Sequence, residues 1–210
     1  STATDSSTES AGSSKPAPRK SQLSAKDKAK MKDLATVEVG DVDVARMEDW
    51  AKPTEEGGLG KFNLDRKGMF GKRTQVDKIL KWKNALIKTA LLKLNSSMNV
   101  EAVQAFKNVV SFMGDRQTRK DAGGHAQKLL KNTLHAPEEL RDEIFCQIIK
   151  QTTENPDSNS LQRGWQLMAI AAGTYPPSRE FEPYLMYYCE QHKDDPVVGD
   201  LAKSVQMRIK

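Results

Sequence analysis

The sequence predicts an all-α protein: a compact multi-helix bundle of about seven to nine helices behind a disordered N-terminal tail. Apolar residues recur at helical spacing in one segment after another. Gly, Pro or Asn-rich stop signals close the segments. No stretch reads as a strand.

Residues 1–41 read as a disordered Ser/Pro/Lys-rich linker. The first fourteen carry no aliphatic residue larger than alanine, KPAPRK follows, and such a segment buries too little to offset its ordering entropy. The helical domain is expected over 42–210. ARMEDWAKP suggests a short helix ended before Pro53, and EEGGLGKFN a glycine-rich turn. In TQVDKILKWKNALIKTALLKLN, Ile79, Trp82, Leu86 and Ala90 form a stripe that Lys83 interrupts. The expectation is a helix, a break near Asn84, and a second helix. NVEAVQAFKNVVSFMGD offers Asn99 as N-cap, Val103, Phe106, Val110 and Met113 as a stripe, and Gly114 as a stop. A segment ending KLLKNTLHAP is closed by its proline. The next helix opens at Pro137, with Glu138 and Glu139 placed well against its dipole, and runs to about Thr153. LQRGWQLMAIAAG is capped by Ser158 or Ser160 and ended by Gly173 and Pro176-Pro177. SREFEPYLMYYCEQHK becomes regular near Glu182, because Pro183 lacks a backbone donor. Asp195-Pro196 opens the last helix.

Composition narrows the function. Two cysteines, Cys146 and Cys189, without a CxxC pattern do not make a disulfide scaffold and fit a reducing, cytoplasmic setting. STATDSSTES shows no secretory pattern, and the longest charge-free run, 164–178, is too short and polar to span a membrane. Without a secretory signal the Asn95-Ser96-Ser97 glycosylation match is discounted. The net charge of +5 conceals an uneven distribution. Residues 61–131 hold 16 basic and 5 acidic side chains, and 132–210 hold 8 and 12. A basic field of that kind attracts acidic partners.

Signatures of catalysis and metal binding are weak. Gly71-Lys72 lacks the magnesium-binding hydroxyl of a phosphate loop, since Arg73 stands in its place, and Gly58-Leu59-Gly60 has no third glycine. His125, His135 and His192 lack ligand spacing, so no metal or cofactor is expected. Cys146, in LRDEIFCQIIKQTTENP, invites a nucleophile reading. On a wheel at about 100° per residue, however, Leu140, Ile144, Phe145, Ile148 and Ile149 cover half the circumference and Cys146 lies just past them. Packing is the better reading. Arg141 points into the apolar sector and is expected to be clamped by a carboxylate or by helix carbonyls. The candidate binding residues are the cations Lys72, Arg73, Lys78, Lys81, Lys88, Arg116, Arg119 and Lys120, with Lys128 and Lys131 beside the last of these. Aromatic content of 6% makes nucleic acid the less favoured partner.

LRDEIFCQIIKQTTENP followed by LQRGWQLMAIAAGTYPPS resembles the signature half of the myosin tail homology four domain, with Arg141, Asp142, Glu143, Gln147, Arg163, Gly164 and Trp165 as signature positions. AVQAFKNVVSFMGDR resembles that family's helix ending in an aromatic-Met-Gly-Asp turn, and KILKWKNALIKTALLKL its N-terminal helix pair. The resemblance spans about 42–210. It implies a non-catalytic, cytoskeleton-associated interaction module from an unconventional, class VII-like myosin tail. Such a domain pairs with a FERM domain to bind cargo or receptor tails, and some members bind microtubules through a basic surface; actin is a further possible partner. The same module in a kinesin or motor-free adaptor, or a basic helical nucleic-acid binder, are the alternatives. The chain is expected to be a fragment ending before a FERM domain.

Overall fold

Helix ends in this chain are written largely in short polar side chains and one left-handed glycine. A computed structural model describes residues 45–47, 60–63 and 76–210. The proposed linker at 1–41, the helix over ARMEDWAKP apart from its residues 45–47, and Lys72 and Arg73 lie outside them. The described residues form one short turn of helix, α1 (Val76–Ile79), and six longer helices: α2 (Ser96–Met113), α3 (Ala122–Thr133), α4 (Glu138–Thr152), α5 (Ser158–Ala172), α6 (Glu182–His192) and α7 (Gly199–Ile209). Among them there is no strand, only an isolated bridge between Phe62 and Leu92. The all-α expectation holds.

The caps explain the boundaries. Asn95, not Asn99, caps α2, its side chain accepting the Met98 N–H at 2.9 Å. Gly114 ends that helix at φ 93°, a left-handed conformation that favours glycine. Asp121 caps α3 through the Gly124 N–H. Asp157, rather than Ser158 or Ser160, caps α5 by accepting the Ser160 N–H at 2.9 Å. In the other corrected case Asp195 does not begin α7. Its carboxylate holds a turn by accepting the Val197 and Val198 N–H groups, and the helix starts at Gly199.

The segment between α1 and α2 departs from expectation. The second helix predicted after Asn84 does not form. In its place the chain runs irregularly from Leu80 to Asn95, with Ala90, Leu91 and Leu92 buried in succession. Three consecutive buried residues do not suit one face of a helix. The backbone groups of this segment find partners elsewhere. Trp82 N–H donates to Thr153 O at 3.0 Å, Asn63 N–H to Leu91 O at 2.8 Å, and Lys93 N–H to Lys61 O at 2.8 Å. Asn99 Oδ1 accepts the Ala90 N–H, which is why Asn99 is not a cap.

The strongest anchor comes from α4. Glu143 accepts the Leu91 N–H at 2.9 Å on one carboxylate oxygen and the Leu92 N–H at 2.8 Å on the other. Gln147, one turn on, donates to Glu143 and to Ala102 O of α2, and Gln151 donates to Asp115. Spacing of four places all three side chains in one row along the helix. The row joins α4 to the irregular segment, to α2 and to the loop after α2. Lys150 donates to Lys81 O as well. So α4 is buried on nearly every side, not over half its circumference: from Leu140 to Thr152 only Arg141 keeps appreciable exposure. It packs on α2 and α5, and α7 bridges α5 and α6. A single large apolar cluster links these helices, with Phe106, Phe145, Trp165 and Phe181 fully buried.

Candidate functional site

Of the remaining signature residues, Asp142, Gly164 and Trp165 are buried in the bundle, while Arg141 and Arg163 reach its surface. Asp142 is buried and accepts the Ser178 N–H at 2.8 Å. Arg141 is not clamped from within. Its Nη2 lies 3.4 Å from Oε1 of the exposed Glu138, a rim contact of little energetic weight. Trp165 stacks on Tyr188 with ring centroids 5.4 Å apart and planes 7° from parallel. Gly164 allows α5 to approach: a Cβ there would meet Thr152 Cγ2 at 2.5 Å and Met113 Cε at 2.9 Å. Arg163 is exposed and its guanidinium lies over Gly114.

Cys146 is fully buried. Burial first, then the Glu143 and Asp142 carboxylates, push its thiol well above the usual range, so it remains an unreactive thiol at neutral pH. Cys189 is buried and shifted in the same direction, chiefly by burial. Among the described residues, no group of three or more His, Cys, Asp or Glu is placed to hold a metal ion. No helix among them is long and apolar enough to cross a membrane.

The exposed chemistry gathers in the loop from α2 to α3. Asp115 fixes its start, accepting the Ser160 hydroxyl at 2.6 Å, Gln151 Nε2 at 3.2 Å and Trp82 Nε1 at 3.4 Å. Asp121 fixes its end as the α3 cap. Between these anchors residues 116–120 are all exposed, presenting Arg116, Arg119 and Lys120. Lys128 and Lys131 continue the charge along α3, also exposed.

A hydrogen-bond relay supports this loop from beneath. Asn108 Nδ2 donates to Gln104 O, which leaves Asn108 Oδ1 to accept from His125 Nδ1 at 3.2 Å. His125 Nε2 must then accept the Thr118 hydroxyl proton, with Nε2 and Oγ1 3.0 Å apart, and Thr118 Oγ1 accepts the Lys120 N–H. Burial, then Lys120 and Arg116, and more weakly Lys128, lower the imidazole's proton affinity against the opposing pull of Asp121. His125 is therefore neutral at pH 7, and Arg116, Lys120 and Lys128 all lie near one ring.

The rest of the predicted basic set is more scattered. Lys78 and Lys88 are exposed on the stretch leading to α2, and Lys81 forms an ion pair with Glu154. One cation absent from the predicted set belongs to the corner. Lys83 lines a cleft of about 230 Å³ together with Arg116, Val110 and Gln151. The sequence treated Lys83 only as a helix interruption, because its approach to Arg116 depends on the irregular path of 80–95.

Buried polar groups that hold backbone, inert thiols and a cationic outer corner define a helical bundle domain whose distinctive chemistry is on its surface. Residues 126–210 match the model of the MyTH4 domain. The chain is 46% identical over 118 residues to the high molecular weight form of myosin-1 of Acanthamoeba castellanii, covering 56% of this chain and 7% of that protein. It is 39% identical over 122 residues to the kinesin-like protein KIN-14E of Arabidopsis thaliana, covering 53% and 9%. The human myosin 7b C-terminal MyTH4-FERM domain, solved in complex with the harmonin-a PDZ3 domain, superposes with a TM-score of 0.55 and 26% identity, over 60% of this chain and 27% of that one. The chain thus spans under a tenth of the two motor proteins it matches.

Proposed function

We propose that this chain is a non-catalytic interaction module from the tail of an unconventional, class VII-like myosin. It works with an adjacent FERM domain to hold cargo or receptor tails in a cytoplasmic, cytoskeleton-associated setting. Within it, the Arg116–Lys131 corner docks an acidic partner surface, of which a microtubule is the leading example. The observation that carries the docking role is the corner itself: Arg116, Arg119, Lys120, Lys128 and Lys131 are exposed on one loop and the helix that follows. Convergent cations of this kind raise the encounter rate with an acidic surface and lose that advantage as salt rises. The match of residues 126–210 to the MyTH4 domain and likeness to a MyTH4-FERM structure solved with a PDZ partner support the module reading. Likeness to a kinesin favours one alternative, the same module carried by a kinesin.

Co-sedimentation of the chain with microtubules, with actin filaments and with duplex DNA, each over a salt series, tests the docking role. Microtubule binding that weakens steeply with salt is expected. Salt-insensitive binding, or none at low salt, would sink the docking role, and a clear preference for DNA would reassign it. The sequence flanking this chain in its parent protein separates a myosin from a kinesin.

A further inference from the structure

We propose that Thr118 is a phosphoacceptor for a basic-directed Ser/Thr protein kinase, and that its phosphorylation switches the basic corner off. The switch rests on the reading of that corner as a docking surface; the acceptor site does not.

Thr118 lies at the centre of the exposed 116–120 stretch, with Arg116 two residues before it and Arg119 and Lys120 directly after. Flanking cations of that density suit the acidic substrate cleft of a basic-directed kinase. The loop is tied at Asp115 and Asp121, and Thr118 itself is held by its side chain: its hydroxyl bridges His125 Nε2 and the Lys120 N–H. Entry into a kinase cleft therefore breaks these two contacts and the bond from Arg116 to the Ser111 hydroxyl, all made by side chains of the loop. In the transfer the Thr118 oxygen bonds to the γ-phosphorus of Mg·ATP, the β–γ bridging bond breaks, ADP departs, and the hydroxyl proton passes to the kinase's base.

The relay couples this modification to His125. A phosphorylated Thr118 has no hydroxyl proton to give, so His125 Nε2 loses its donor. The new group carries close to two negative charges among Arg116, Lys120 and Lys128, the cations that now disfavour a charged imidazole. The added charge offsets the cations around the ring, and His125 takes up a proton and donates Nε2–H to the phosphate. Arg116 and Lys120 turn inward to the same phosphate, and the corner loses both net charge and free cations.

The test uses the full 210-residue chain, the catalytic domain of protein kinase C, which accepts cations after the acceptor, with Mg·ATP, and site-resolved mass spectrometry, because residues 1–41 offer other hydroxyls. Labelling at Thr118 is expected in the native chain and in Thr118→Ser, and is lost in Thr118→Val. Failure to label Thr118 while a peptide of residues 112–124 is labelled would show the folded loop to be closed and overturn the proposal, as would failure to label both. Microtubule affinity at low salt should fall on the order of tenfold or more on phosphorylation, and the His125 ring should titrate at higher pH by NMR. Equal affinity before and after labelling would overturn the switch alone. No binding by the unmodified chain would overturn the docking role and the switch together, leaving labelling and the His125 titration to judge the acceptor site.

Discussion

At the scale of single residues, α4 contains two neighbouring buried carboxylates in unlike situations. Glu143 accepts two backbone N–H groups and a Gln147 amide proton, whereas Asp142 has the Ser178 N–H as its backbone donor. Burial, opposed by the Ser178 hydrogen bonds, raises the Asp142 carboxyl above the usual range; Glu138 adds to the rise and Arg141 reduces it. The folded state therefore holds the Asp142 proton more tightly than the unfolded chain does. Below the ordinary Asp range both states are protonated and the group has no effect. As pH rises from there to the raised folded value, the unfolded chain ionises first and stability falls; above that window the loss is constant. Asp142→Asn keeps an oxygen for the Ser178 N–H and removes the ionisation. Its urea midpoint, measured against the parent chain, should improve as pH rises from about 3 to 7. A difference that stays level or reverses over that range would contradict this account.

At the scale of elements, legibility followed how local the controlling interactions are. α2, α4, α5 and α6 were readable because stripe, cap or stop, and composition lie within one helix length. Even so, the caps slipped to the neighbouring polar residues Asn95 and Asp157, since Asn, Asp and Ser serve nearly equally as caps. Residues 80–95 were not readable as the chain folds them, because the groups that hold Leu91 and Leu92 belong to Glu143, about fifty positions away. Their local pattern favours a helix, and the distant carboxylate overrides it. A pair of truncations discriminates the two geometries. A helical stripe would bury Leu86 along with Ala90, but Leu86 is 47% exposed whereas Leu91 is 1% exposed. Leu86→Ala should change unfolding free energy by no more than about 0.5 kcal/mol, and Leu91→Ala should cost about 2–5 kcal/mol, both read by urea denaturation. A costly Leu86→Ala beside a benign Leu91→Ala would return the segment to a helix.

At the scale of the whole molecule, the question is whether docking follows net charge or the placement of charge. The sequence showed the excess at 61–131, and Arg116, Arg119, Lys120 and Lys128 were legible as a cluster because one short stretch contains them. It did not show that Lys81 is taken up by Glu154, or that Lys83 lines the same cleft as Arg116, since both depend on where the irregular segment lies. Two triple variants of equal net charge separate the possibilities. One reverses Arg116, Arg119 and Lys120 to Glu in the loop; the other reverses Arg179, Lys203 and Lys210, exposed cations of the more acidic C-terminal half. Screening at about 0.1 M salt limits each charge to roughly 10 Å of influence, so distant reversals act weakly on a partner seated at the corner. Microtubule co-sedimentation at that salt should lose the loop variant and retain the C-terminal variant within about threefold of the parent. Circular dichroism should show both folded, because none of the six side chains is buried. Equal loss in both would mean that the domain binds by its overall charge, with no particular face engaged.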